Sequence, residues 1–494
     1  MLRKKLEKFS KVTALVALSM TTAQALPIDW HGVFGVDTTL IDSFRRVKST
    51  TANKPMSANL GSQEIDLATG ADKASFQSYI FRLNPHIIVN DSASFKAEFT
   101  SGYGRGGFLG DDRAVDGNSG NGFGNALYVQ NKSSGSDSLV INKAYMELYS
   151  DTATYVVGRQ SSHWGLGALV NGGDNTWDRH SYTRDGLTAK IKIGNFQIEP
   201  YWAKIDSSGS LARTTKVSEI GTALVYDNVD RDIAFGILYS KKKNKPGNAT
   251  TDTNTTTIGS GNYALGETNI TVTDLYFKKL FGNFTIEAEV PIISGELGNV
   301  YNAQSVKVNS KSFIFETGYK LSDSWKLELN FGSVSGHNGS TTGYEAMYLN
   351  PNYQIANLLF RYNLQAINDP SNQNVYDSYM TNAKYIKFAG VYNSDKWSWV
   401  AAVIWAKANE TAKNGQSSYN HTNNKIFTAA DTQSDDLGVE LDLNFDYHWN
   451  NAVNIGGSLG YLFTGDYYAF TNDPNSKNKT ENSFALQLRT SVEF

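Results

Sequence analysis

From Ser483 to Phe494 the chain alternates without a break. Phe484, Leu486, Leu488, Thr490, Val492 and Phe494 share one face; Ser483, Ala485, Gln487, Arg489, Ser491 and Glu493 share the other. A period of two belongs to an extended strand, and about ten residues is the length that crosses a hydrocarbon layer at a tilt. As the edge of a soluble sandwich, so apolar a face would invite aggregation. The pattern recurs in Leu437–Tyr447, Trp325–Phe331, Trp397–Trp405 and Phe284–Val290. A charge at every second position cannot face hydrocarbon, where it costs ~2–4 kcal/mol at the midplane, but it can face a wet lumen. Composition agrees: 25 Phe, 27 Tyr and 9 Trp coexist with a negative mean hydropathy, because lipid-facing and lumen-facing positions cancel in the average.

Residues 1–25 read as a secretory signal peptide. Arg3, Lys4, Lys5, Lys8 and Lys11 precede an apolar run from Val12 to Met20, and Ala23-Gln24-Ala25 is a small-x-small cleavage site. The run is far shorter than the ~20 residues that span a bilayer as a helix. The working chain is then 26–494, a single barrel with inward-folded loops. The formal net charge is −3, and loss of the leader removes five cations and one anion, leaving about −7. That excludes a basic nucleic-acid binder. With no cysteine, an exported chain relies on its ladder and packing rather than on disulfides.

Short turns and long polar stretches alternate. Turn signals stand at Asn90-Asp91-Ser92, Asp151-Thr152, Gly194-Asn195, Asp227-Asn228, Gly282-Asn283, Ser322-Asp323-Ser324, Asn393-Ser394-Asp395 and Trp449-Asn450-Asn451. Between them lie 41–74, 104–137, 162–184, 206–216, 242–267, 294–309, 336–381, 408–433 and 465–481. Short periplasmic turns with long extracellular loops are the asymmetry of outer-membrane barrels. Trp325, Trp397 and Trp449, each beside a short turn, suit an interfacial belt. An odd number of candidate strands can be marked, yet two periplasmic termini require an even one. Leu358–Tyr362 breaks the alternation and is therefore placed inside the loop 336–381. That loop also carries Tyr344, Met347, Tyr348, Leu349, Tyr353 and Ile355, which have no reason to be there unless it folds back against the barrel. The expectation is an all-β, transmembrane antiparallel barrel of about 18 strands, with 16 as the alternative.

Ending on Phe494, the chain resembles Gram-negative outer-membrane proteins, whose terminal aromatic the barrel-assembly machinery reads. Gly158-Arg159-Gln160 with Trp164-Gly165-Leu166-Gly167, Arg184-Asp185-Gly186-Leu187, Leu437-Gly438-Val439-Glu440-Leu441-Asp442-Leu443 and Gly460-Tyr461-Leu462-Phe463-Thr464-Gly465-Asp466 are similar to short motifs of monomeric alginate-export-type porins. The resemblance implies residence among outer-membrane lipids and lipopolysaccharide. In alginate exporters an arginine-rich lumen passes an acidic polysaccharide. Here the inward set includes Glu98, Glu147, Glu199, Glu219, Glu287, Glu289, Glu316, Glu328, Glu440 and Asp442, an excess of carboxylates that argues against a polyanion.

About 18 strands enclose a lumen too wide for side chains to fill, and no plug domain is read ahead of the first strand at Trp30–Leu40. The expected function is passive diffusion of small hydrophilic solutes or ions. The alternatives are a structural or adhesive surface barrel working through its loops, or a polysaccharide exporter. No enzyme is expected, since none of the seven His sits with a Ser in a nucleophile elbow. No cofactor or metal is expected either. His163, Asp174, Asp178 and His180, with Arg179 and Arg184, read as loop charges that pair and narrow the pore. Asp111, Asp112, Asp116, Asn118 and Asn121 read as a solvated loop rather than a calcium site. Loops 162–184 and 336–381 should enter the barrel and set Arg159, Arg179, Arg184 and Arg361 against Glu316 and Glu328 at the constriction. Lys190, Lys192, Glu287, Glu289, Glu440 and Asp442 are read as lumen charge. A carboxylate excess predicts mild cation preference, reversed toward anions such as sugar acids if the basic residues gather at the constriction. Spacing does not fix the solute or the oligomeric state.

Overall fold

The structure, a computed structural model, describes residues 28–48, 72–109, 139–205, 217–244, 268–300, 303–368, 374–422, 424–475 and 477–494. Residues 1–25, read above as a signal peptide, and the acidic residues 111–121 lie outside them. Among the described residues the alternation becomes 18 spanning strands. They are β1 (Ile28–Asp42), β2 (Lys73–Asn90), β3 (Ala93–Ser101), β4 (Leu139–Tyr149), β5 (Ala153–Ser161), β6 (Thr183–Ile193), β7 (Phe196–Lys204), β8 (Val217–Asn228) and β9 (Ile233–Asn244). β10 (Asn269–Phe281), β11 (Phe284–Val300), β12 (Ala303–Lys320), β13 (Trp325–Val334), β14 (Ala383–Asn393), β15 (Trp397–Ala408), β16 (Asp436–His448), β17 (Val453–Thr464) and β18 (Ser483–Glu493) complete the sheet. Each pairs antiparallel with the next. β1 also pairs with β18, from Val33↔Glu493 to Asp42↔Phe484, so no edge remains open. The segment Leu358–Tyr362 lies in the β13–β14 loop, as parity requires.

Turn chemistry sets one end of the barrel. Gly194 (φ 59°) and Gly282 (φ 58°) adopt left-handed dihedrals in open space, so glycine serves the backbone there and not a close approach. The turn expected at Asp227-Asn228 is the short helical turn Val229–Arg231. Asn228 caps it by accepting the Arg231 N–H at 3.0 Å, and Asp232 (φ 50°) closes it. At the other end, 294–300 and 303–309 are not loop but the continuation of β11 and β12, bulged at Glu296/Gly298 and Gly298/Val300. Polar composition makes such a stretch read as loop, whereas a ladder extended into water needs no apolar face.

The outward face carries Phe34, Tyr155, Leu187, Phe235, Leu275, Phe313, Ile386, Val403, Leu441 and Leu488, all exposed. A patch this continuous fits lipid, not water. No helix of the described residues is long and apolar enough to cross a membrane. The main apolar core lies inside the barrel. Met347, Leu349, Ile355, Leu358, Leu359 and Met380 of the β13–β14 loop pack on wall residues Ile314, Val334, Tyr385, Ile404 and Leu462. Small wall residues Ala383, Ala389, Ala402 and Ala406 join the same cluster and leave the loop its room.

Phe494 extends the closing ladder by one more pair. Gly32 donates to the Phe494 carbonyl at 2.7 Å and accepts from its N–H at 3.0 Å. A Cβ at Gly32 would lie 2.5 Å from the Phe494 ring and 2.9 Å from the Arg82 carbonyl. We predict that Gly32→Val slows closure, read as loss of the fast-migrating folded band on unheated SDS gels. A variant folding at the wild-type rate would refute this.

At the long-loop end His421 Nε2 accepts the His337 backbone N–H at 2.8 Å, and both rings pack on Tyr419. Burial lowers His337 from 6.5 to about 4 and His421 to about 3. Both are therefore neutral in the folded loops. Their contribution is present above 6.5 and is lost as pH falls through about 4 for His337 and about 3 for His421, because a protonated His421 Nε2 cannot accept. Hydrogen exchange of 417–428 should accelerate across that window in the wild type and not in His421→Gln. Unchanged protection down to the lower limit would contradict it.

Candidate functional site

Backbone buried inside a barrel must find hydrogen-bond partners without bulk water. The β5–β6 loop (162–182) and the β13–β14 loop (335–382) solve this with charged wall residues. On one wall, Glu289 of β11 is fully buried. Its carboxylate accepts N–H groups from Leu166 (2.6 Å), Ala168 (3.4 Å) and Leu169 (3.3 Å). On another, Glu440 of β16 accepts from Asn357 (2.8 Å), Leu358 (2.6 Å) and Leu359 (2.8 Å), with Asp442 taking the Asn357 N–H at 3.1 Å. Arginines hold the opposite polarity. Arg82 donates to the carbonyls of Gly173 (3.1 Å), Asn175 (3.0 Å) and Thr176 (3.2 Å). Arg105 donates to Gly173 (2.5 Å) and Asp178 (3.1 Å), and Arg46 to Leu358 (3.0 Å). Each hydrogen bond to a charged partner contributes about 1.5–3 kcal/mol, enough in sum to fix both loops.

The two loops meet over β1, β2 and β18. Arg179 bridges to Asp37 Oδ2 at 2.7 Å, donates to Ser78 Oγ (2.8 Å) and the Tyr79 carbonyl (2.6 Å), and lies 4.3 Å over the Tyr376 ring. Arg489 pairs with Asp446 at 2.7 Å beside Trp177. Asp37, Arg179, Tyr376, Trp177 and Arg489 line a cavity of about 90 Å³ together with Arg361, His180, Asp178 and Gln487. A cavity of about 400 Å³ lies toward the short turns, lined by Arg82, Lys96, Glu98 and Lys143. One of about 470 Å³ lies toward the long loops, lined by Tyr348, Phe360, Tyr362, Tyr379 and Tyr467. Burial lowers His180, although Asp377 stands 3.4 Å away.

Of the residues singled out in the sequence, Arg179 and Arg361 meet at the small cavity. Arg184 does not. It stacks at 3.9 Å on Tyr201 of the adjacent strand β7 and donates to its hydroxyl at 3.1 Å. Glu316 accepts from Tyr353 at 2.7 Å, which anchors the same loop from the side. Glu328 pairs with Lys326 at 2.9 Å, and Glu287 with Lys278 at 3.2 Å. Lys190 and Lys192 are exposed near the short-turn end of β6. Arg159 lies on the outward face in a two-pronged pair with Asp185, 2.7 Å at each contact. Sequence reasoning passed over Asp37, Arg82, Arg105 and Trp177. Arg489 was visible as an inward position of β18.

Fold and site define a transmembrane β-barrel of the bacterial outer membrane whose lumen is narrowed by two inward loops. No family model matches the chain, and no curated protein matches it. Among solved structures, a BenF-like porin from Pseudomonas fluorescens Pf-5 aligns over 94% of this chain and 99% of its own, at 10% identity and a TM-score of 0.49. OccK11 (OpdR) of Pseudomonas aeruginosa aligns over 94% and 96%, at 9% identity and a TM-score of 0.47. OccK2 (OpdF) of Pseudomonas aeruginosa aligns over 94% and 98%, at 10% identity and a TM-score of 0.47.

The latches carry a prediction. Glu289→Gln or Glu440→Gln keeps the side-chain shape but weakens three N–H contacts at once. Each variant should change a steady single-channel level into a higher, flickering one in planar bilayers. Steady wild-type currents from both would show that the loops are held otherwise.

Proposed function

We propose that the protein is a passive outer-membrane channel for small hydrophilic solutes, with a constriction that favours those bearing a carboxylate or similar anion. The observation that supports it most is the small cavity between two wider ones, where Arg361 stands beside the ion pairs Arg179–Asp37 and Arg489–Asp446. Asp37 is engaged by Arg179, and Asp178 accepts from Asn175 at 3.0 Å within its own loop. The carboxylates that outnumber cations in the sequence are spent elsewhere. Glu289, Glu440 and Asp442 hold loop amides, and Glu287 and Glu328 pair with lysines. Charges lining the narrowest segment dominate selectivity, so the reading inverts the cation preference drawn from composition. The Arg361 guanidinium at this cavity offers a carboxylate charge-assisted donors without closing round it. The chain is taken to reach the membrane through the barrel-assembly machinery reading Phe494.

Reversal potentials in asymmetric salt test the reading. The wild type should prefer anions, less so as salt rises, because the charges face water and screen over ~10 Å at 0.1 M. Arg361→Gln should move the reversal potential toward cations, and Glu287→Gln/Glu328→Gln should barely move it. A cation-selective wild type would overturn the proposal.

A further inference from the structure

The outward face holds an arrangement that the pore does not use. Arg159, Asp185, Lys204, Ser218 and Lys243 are successive register partners across β5 to β9. Strand parity puts all five on the side of the exposed Tyr155, Leu187, Trp202, Ile220 and Tyr239. Lys204 and Lys243 are themselves exposed. Directly beneath, toward the membrane centre, runs the row Val157, Leu187, Trp202 and Ile220, apolar until it ends on Lys241 of β9. A change from apolar to cationic within one ladder step, with a tryptophan at the border, marks the interface between acyl chains and headgroups. Three cations against one carboxylate in that row fit an anionic headgroup. Lys and Arg are drawn to lipid phosphates at such a surface.

The row also overhangs a groove. A cleft of about 600 Å³ on the outer wall is lined by Ala144 and the backbone of Gly158 and Gly186, bounded by Ile141, Leu187 and Trp202 and roofed by the Arg159–Asp185 pair. Gly186 cannot be larger, since a Cβ would lie 1.9 Å from the Trp202 carbonyl. The cleft opens into lipid, and its charged roof sits where phosphates lie.

We propose that this face binds a phosphorylated glycolipid of the outer leaflet, with phosphates on Arg159, Lys204 and Lys243 and one acyl chain in the cleft. The proposal rests on the membrane placement of the barrel and not on the selectivity of its pore. Asp185 restrains Arg159 by holding two of its donors.

Native mass spectrometry of the purified barrel in detergent tests it, using bisphosphorylated lipid A and the same lipid stripped of phosphate. The wild type should retain the phosphorylated form about tenfold better, and Lys204→Gln/Lys243→Gln should lose about that factor. Asp185→Asn, which frees Arg159, should bind more tightly, a gain that misfolding cannot imitate. Lys384→Gln/Lys407→Gln, on the outward face of β14 and β15, should leave retention unchanged. Single-channel conductance should match the wild type throughout, which separates this proposal from the channel reading. Equal retention of both lipids, or equal loss in the control pair, would overturn it. So would a dimer seated on the cleft that Trp202→Ala dissolves.

Discussion

The arrangement inside this barrel depends on one requirement: an inward loop must satisfy every amide and carbonyl it carries out of bulk water. Glu289 and Glu440 do so for N–H groups, Arg46, Arg82 and Arg105 for carbonyls. A neutral side chain would meet the same geometry more weakly, since charged partners roughly double the strength of the bond. Burying a charge is costly unless it is hydrogen-bonded, so carboxylate and loop each make the other tolerable. Apolar packing of Met347, Leu349 and Leu359 on the alanine-rich wall adds adhesion, but the charged contacts set the register.

The same requirement separates what the sequence shows from what it hides. Strand alternation is a local property, so β13, β15, β16 and β18 can be read from the run of side chains, and parity alone puts Leu358–Tyr362 in a loop. The apolar and aromatic residues from Tyr344 to Ile355 betray an inward fold for the same reason: no solvated loop spends them. Partnership is not local. Glu440 looks like any lumen carboxylate until Leu358 and Leu359, more than eighty positions earlier, are seen to cover it. Counting charges by face therefore measures the wall and not the passage. Arg159 was legible and was misread. Tyr155 and Val157 fix the parity of β5 and turn Arg159 outward, whereas the expected constriction set it inside, against Glu316 and Glu328. Gln160, the next residue, is the one that faces in, donating to Thr188 Oγ1 at 3.0 Å.

An 18-stranded barrel is too wide for its own side chains to fill, so the loops decide where water remains. One loop is latched to β11 and the other to β16, and each also reaches β1, β2 or a neighbour through arginine. Tyr376 donates to Asp37 Oδ1 at 3.0 Å, and Arg179 takes Oδ2 of the same carboxylate at 2.7 Å. Asp37 is thus shared by both loops and by the wall. A group with so many partners cannot rearrange without releasing several, which makes this wall the rigid side of the passage. Trp177 bears on it directly: a Cβ at Gly35 would come within 2.8 Å of its ring, so the smallest residue stands where the loop presses closest. The contact between the two loops lies against β1 and β18, the strands that close the barrel, so barrel closure and loop anchorage meet on one wall.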